Sequence, residues 1–173
     1  MELKSLIRDV PNFPKHGIIF KDITTLLKDP TGLNNAVEEL INFLQNKHIT
    51  KVVGIESRGF ILGGVVAQKL GAGFVPIRKP GKLPAECISE SYSLEYGTDR
   101  IEIHKDAIQN GDKILLHDDL LATGGTMAAA CKLVERLGGE VVQISFLVEL
   151  SFLNGREKLK NYDVQSIIQY YSE

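Results

Sequence analysis

Ile114-Leu115-Leu116-His117-Asp118-Asp119-Leu120-Leu121-Ala122-Thr123-Gly124-Gly125-Thr126 is a run of four apolar or His positions, two acids, a Gly/Thr loop and a helix start. An apolar strand over 113–117 leads into it, and a helix over 126–137, stopped by Gly138-Gly139, leads out. Working outward, 51–55 reads as a buried strand and 60–70 as a helix whose Gly63, Gly64 and Ala67 permit close packing; 74–77 reads as a second strand. Toward the C-terminus, 141–150 and 164–168 are further strands. Strands alternating with helices predict an α/β fold, a mostly parallel central sheet flanked by helices. In such sheets ligands sit beyond the carboxyl ends of the strands, so the residues just after each strand carry the chemistry.

The remaining segments are less regular. Leu3, Leu6, Ile7 and Val10 have helical spacing and predict a short amphipathic helix, followed by an irregular stretch at Pro11 and Pro14. Residues 17–23 look extended. Leu33, Ala36, Val37, Leu40, Ile41 and Leu44 form a helical stripe that ends near Lys47-His48. Residues 78–90 read as a long polar loop, and 92–96 with 100–104 as the arms of a hairpin about 97–99.

At 173 residues, one domain spanning 1–173 is expected. The chain has 43% hydrophobic and 24% charged residues and a net charge of −2. That balance argues against a protein that coats long nucleic acids, which would carry a basic excess. No apolar run approaches the roughly 20 residues needed to span a bilayer. The N-terminus lacks the apolar stretch of a signal peptide, and the two cysteines, Cys87 and Cys131, form no CxxC pair. A cytoplasmic protein with reduced thiols is expected.

In the loop at 122–126, successive backbone N–H groups converge on one point, and the helix N-terminus adds about half a positive charge. This is a phosphate cradle, to which Thr123 and Thr126 add hydroxyls. It is neither a Walker A loop nor GxGxxG. Two acids beside a phosphate cradle suit either sugar hydroxyls or a Mg²⁺ on the same ligand. Glu56-Ser57-Arg58-Gly59-Phe60 follows the strand at 51–55, and an Arg there can fork onto a diphosphate. Arg78-Lys79-Pro80-Gly81-Lys82-Leu83-Pro84 places three cations at another strand end, opening a loop long enough to serve as a lid.

The thirteen-residue string resembles the PRPP-binding signature of the type I phosphoribosyltransferases. The resemblance implies that Asp118 and Asp119 contact the ribose hydroxyls and that Ala122, Thr123, Gly124, Gly125 and Thr126 bind the ribose phosphate. Four more blocks, in the same order, resemble the adenine-using members of that family. Gly54-Ile55-Glu56-Ser57-Arg58-Gly59-Phe60 resembles their diphosphate loop, which carries a strained peptide after the acid. Arg78-Lys79-Pro80-Gly81-Lys82-Leu83-Pro84 followed by Tyr92-Ser93-Leu94-Glu95-Tyr96-Gly97 resembles their catalytic lid, in which the Glu handles a proton on the purine. Phe13-Pro14-Lys15-His16-Gly17-Ile18-Ile19-Phe20-Lys21-Asp22-Ile23-Thr24 resembles their purine hood.

The resemblance therefore implies transfer of the 5-phosphoribosyl group from PRPP to adenine, with Mg²⁺ brought in mainly by PRPP, near Asp118 and Asp119. Glu95, Arg58 and Lys82 would be catalytic, while Ser57, Arg78 and Lys79 would join the PRPP site. Backbone at Ile19 and Lys21, the Phe20 ring and Leu120 would hold adenine. A hood at about 1–32, a flexible β-hairpin lid at about 78–104 and a homodimer are implied too. Transfer to another purine base, or a non-catalytic PRPP sensor, are the competing readings. His117 is expected as a strand histidine with a satisfied hydrogen bond, and Cys131 as core.

Overall fold

A computed structural model describes residues 2–94 and 96–173. After a 3-10 turn at Leu3–Leu6, strand β1 (Arg8–Pro11) pairs antiparallel with β2 (Ile19–Asp22), placing Val10 opposite Phe20. The helix predicted from Leu3, Leu6, Ile7 and Val10 thus gives way to one turn and a strand. Leu3 is buried, but Ile7 is already extended, because pairing with β2 satisfies backbone that a short isolated helix would leave open.

A short helix α1 (Thr24–Leu27) leads to α2 (Pro30–Asn42). Asp29 caps α2 by accepting from the Gly32 N–H at 2.6 Å, and Pro30 occupies the first turn. The stripe Ala36, Val37 and Leu40 is buried as predicted. The helix ends earlier than its apolar pattern does, because Gln45 and Asn46 adopt positive φ (46° and 68°) and turn the chain before Lys47.

Next come β3 (Lys51–Ile55), α3 (Gly59–Leu70) and β4 (Gly73–Ile77). Then β5 (Cys87–Ser93) and β6 (Thr98–His104) form an antiparallel hairpin. The predicted polar loop over 78–90 is therefore shorter, since its last four residues are strand. Asp99, expected in the turn, lies in β6 opposite Tyr92. Finally β7 (Lys113–Leu121), α4 (Gly125–Arg136), β8 (Glu140–Leu150) and β9 (Val164–Tyr170) complete the chain.

The central sheet has five parallel strands in the order β4-β3-β7-β8-β9. One face packs on α2 and α3, with Val52, Leu115 and Leu147 against Val37, Leu40 and Leu62. The other packs on α4 and the hairpin, with Val53, Leu116 and Phe146 against Ile101, Ile103 and Cys131. Cys131 is core, as expected, and burial pushes its thiol up to about 12. The hairpin is anchored at its base: Ile103 is 0% exposed, and Arg78 and Glu102 exchange backbone hydrogen bonds at 3.0 and 2.8 Å. From β3 the chain builds toward one edge, and from β7 toward the other. The crevice between the carboxyl ends of β3 and β7 is the topological switch point of the sheet.

Candidate active site

Two loops flank that switch point. The first, 56–58, carries β3 into α3, and its Glu56–Ser57 peptide is cis. Gly59 lies so close to β7 that a Cβ would stand 2.9 Å from Asp118 Oδ1 and 3.1 Å from the His117 carbonyl. The second runs from β7 into α4. Asp118 and Asp119, expected just after the strand, lie within it, because β7 continues pairing with β8 as far as Leu121 and Glu149.

A cleft of about 360 Å³ opens between these loops. Ser57, Arg58, Arg78, Lys79, Asp118, Asp119, Leu120 and Thr126 line it, and so do Glu56 and Tyr92. Beside it, Ala122, Thr123, Gly124 and Gly125 line a smaller recess of about 90 Å³ together with Thr126. Gly124 has φ +82° and precedes the first turn of α4. The first N–H groups of a helix have no intrahelical acceptor, and the first residues of α4, Gly125, Thr126 and Met127, line this recess.

Arg58 donates from Nε to Asp119 Oδ2 at 2.6 Å, and its guanidinium carbon lies 5.3 Å from the centre of the Phe20 ring. It therefore stands between the cleft and a second recess of about 350 Å³ beside the β1–β2 pair, lined by Val10, Phe13, Phe20, Asp22 and Thr24. Phe13 meets Phe20 edge-on at 5.2 Å. Lys21, the next residue along β2, turns its side chain the other way. It is 6% exposed, donates to Asp9 at 2.8 Å and sits 4.3 Å above the Tyr170 ring. Only the backbone of Lys21 and Ile19 is left for contact on the Phe20 side.

Asp118 Oδ1 accepts the Asp119 N–H at 2.8 Å. Desolvation, reinforced by the neighbouring Asp119 carboxylate, raises the Asp118 carboxyl well above the usual carboxylate range. Behind the pair, His117 is 1% exposed, with Nδ1 3.0 Å from Ser145 Oγ. Its Nε2 has no partner among the described residues, so the expected satisfaction extends to one ring nitrogen. Burial pulls the imidazole down to about 4 and keeps it neutral.

The cations at 78–82 meet acids from other elements. Glu56 binds the Lys82 ammonium, lies 3.4 Å from Arg78 Nε, and accepts the Lys79 N–H at 2.7 Å. Burial works against its charge, but these donors outweigh it and hold the carboxyl below its ordinary value. Lys79 binds Asp99 and donates to the Tyr92 hydroxyl at 3.0 Å. Glu56, Tyr92 and Asp99 had no role assigned from sequence. For Glu56 the signal was its place directly after a strand, the same signal that pointed to Arg58. Glu95 lies outside the described residues. Among those described, no group of three His, Cys, Asp or Glu residues could hold a metal, and no helix is long and apolar enough to cross a membrane.

A parallel sheet with two acids, an arginine and a Gly/Thr loop opening a helix at its switch point is the arrangement expected of a phosphoribosyl transferase domain. The family model of that name matches residues 24–170, and the chain belongs to this family. It is 62% identical over 169 residues to the adenine phosphoribosyltransferase of Halothermothrix orenii, covering 98% of this chain and 99% of the relative. A crystal structure of adenine phosphoribosyltransferase from Thermoanaerobacter pseudethanolicus superposes with a TM-score of 0.95 at 54% identity over 98% of each chain. The Saccharomyces cerevisiae enzyme, complexed with adenine and an imino-altritol bisphosphate, gives 0.91 at 42% identity over 96% of each. Within the family, the chain's place is among the adenine phosphoribosyltransferases.

Proposed function

We propose that the protein transfers the 5-phosphoribosyl group of PRPP to adenine, giving AMP and diphosphate. The observation that carries this reading is the set of three adjoining recesses joined through Arg58 and the Asp118-Asp119 pair. One is a backbone cradle fit for a phosphate, one is lined by acids and cations, and one is walled by Phe20. That the yeast relative is complexed with adenine together with an imino-altritol bisphosphate supports a site that takes a purine and a phosphorylated ligand side by side.

In this reading residues 122–126 anchor the ribose phosphate, and Asp118 and Asp119 hold the ribose hydroxyls. Anchoring fixes the sugar C1 against the base, and orientation of this kind removes a large part of the barrier. Displacement at C1 builds positive charge on the sugar ring, as in glycoside cleavage, so the nearby carboxyls favour the transition state. The departing diphosphate gains charge, which Arg58, Lys82 and Arg78 neutralise, with Ser57 and Lys79 beside them. Phe20 covers adenine on the hood side, Leu120 lies on the cleft side, and the backbone of Ile19 and Lys21 reads the base edge. Glu95 handles the proton on the purine as a general acid/base.

The residues fit a magnesium ion carried by PRPP rather than one caged by protein. Asp119 Oδ2 is committed to Arg58, and Asp118 accepts a backbone N–H, which leaves few carboxylate oxygens. Bound with PRPP, Mg²⁺ would supply charge neutralisation on the diphosphate, with Asp118 and Asp119 the residues that would lie nearest it.

A homodimer is part of this reading. Ile61 and Val65, one turn apart on α3, and Phe74 on the edge strand β4 are large apolar residues 45%, 37% and 36% exposed, which a second copy would cover. The two free thiols support a reducing, cytoplasmic setting. Diphosphate release with PRPP, Mg²⁺ and each of adenine, hypoxanthine, guanine and xanthine tests the function. Release with adenine alone is expected. Faster release with an oxopurine, or PRPP binding with no release for any base, would replace the reading with one of the competing ones.

A further inference from the structure

The segment Ser151-Phe152-Leu153-Asn154-Gly155-Arg156-Glu157-Lys158-Leu159 carries no motif that its sequence discloses, yet it is the wall behind the phosphate cradle. It forms two 3-10 turns, Ser151–Leu153 and Gly155–Leu159, joined at Asn154 with φ 53°. Gly155 is buried against the cradle backbone. A Cβ at Gly155 would stand 2.4 Å from the Ala122 carbonyl oxygen, and a Cβ at Gly124 would stand 2.4 Å from the Gly155 carbonyl oxygen. Both distances are far inside van der Waals contact. The two stretches touch backbone to backbone, and each glycine is required by the other stretch.

Arg156 locks this contact in place. Its Nε lies 2.8 and 3.0 Å from the Glu149 carboxylate oxygens, and its Nη2 lies 2.7 Å from Glu149 Oε2. Its Nη1 donates to the Val164 carbonyl at 2.8 Å. Glu149 is 4% exposed, and in the sheet register it is the partner of Leu121, the last residue before the cradle. One guanidinium therefore ties the Gly155 turn to β8 and to the start of β9, beside the point where β7 releases the cradle. Lysine has no planar fork and could not make these contacts together.

We propose that Arg156 and Gly155 are positioning residues for PRPP: held by Glu149, they fix the backbone of residues 122–125 in the shape that receives the ribose phosphate. The proposal rests on the reading of residues 122–126 as the phosphate seat. Neither residue touches substrate, and both act through the cradle. A purely structural clamp would lower stability and weaken both substrates together. A positioning clamp weakens PRPP selectively.

The test uses the full chain with Gly155→Ala, Arg156→Ala, Arg156→Lys and Thr126→Ala. PRPP affinity is measured by calorimetry, adenine KM at saturating PRPP, and folding by thermal melting. Gly155→Ala and Arg156→Ala are expected to weaken PRPP about tenfold or more and to leave adenine KM within about twofold, as loss of orientation at one substrate predicts. Arg156→Lys keeps the charge and loses the fork. It is expected to weaken PRPP too, and it serves where Arg156→Ala melts non-cooperatively. PRPP affinity unchanged in folded Gly155→Ala and Arg156→Lys, or PRPP and adenine weakened in parallel, would overturn the proposal. Thr126→Ala separates the two levels of the argument. If it weakens PRPP while the Gly155 and Arg156 variants do not, the phosphate seat stands and the positioning role falls. If no cradle variant affects PRPP, the seat itself is misplaced.

Discussion

Arg58 and Asp119, sixty-one positions apart in the chain, form a direct ion pair, Nε to Oδ2 at 2.6 Å, across the crevice between β3 and β7. The pair joins the loop expected to meet diphosphate with the acid expected to meet ribose. Arg58→Ala should lower kcat/KM about a hundredfold, the scale found when one preorganised donor to developing negative charge is removed. Asp119→Asn should damage PRPP binding and turnover far more than folding, since shape is kept and charge is lost. Steady-state kinetics alongside thermal melting checks both. An unchanged kcat/KM in Asp119→Asn would remove that residue from the site.

Glu95→Gln should lower kcat about a hundredfold with PRPP affinity preserved, as expected for a general acid/base that does not grip the sugar phosphate. Pre-steady-state turnover with PRPP binding measured separately distinguishes the outcomes. A main effect on adenine KM would make Glu95 a binding group instead.

The hairpin base belongs to the core, whatever its tip does during turnover. Ile103 is 0% exposed and packs in the cluster that includes Cys131 and Phe146. Ile103→Ala should cost about 2–5 kcal/mol of stability, the range for deleting a buried aliphatic side chain. Denaturant unfolding measures this. A loss near zero would mean that the whole hairpin swings free.

His117 gives the fold an acid sensitivity that starts above the carboxylate range. Its folded pKa is about 4 against an ordinary 6.5, so below pH 6.5 the unfolded chain takes up a proton that the folded chain refuses. Stability from this group is therefore full above about pH 6.5 and is lost as pH falls toward 4, by up to about 3 kcal/mol. His117→Asn should flatten the stability profile between pH 7 and about pH 4.5. Chemical denaturation of both proteins across that window reads the difference directly. The subtraction removes the carboxylates, including Asp118, whose raised value contributes with opposite sign.

Periodicity and turn residues alone were enough for the alternation of strands and helices, because a strand buried on both faces must be continuously apolar and a surface helix must carry a stripe. The string at 114–126 likewise marked the loop to read for phosphate binding, because two acids, glycines and hydroxyl residues follow one another between a buried strand and a helix start. What needed the folded chain was every pairing between distant elements. The first segment became a strand because β2 was there to pair with it, and Asp118 and Asp119 lie within β7 because β8 extends that far. Glu56 collects the Lys82 ammonium across twenty-six positions, and Gly155 meets Ala122 across a crossover between strands. Such contacts depend on strand order and backbone approach, which leave no periodic trace in a sequence. The residue types of the site were therefore local properties of the chain. Which cation faces which acid, and which backbone lies against residues 122–124, were settled only when the sheet brought the loops together.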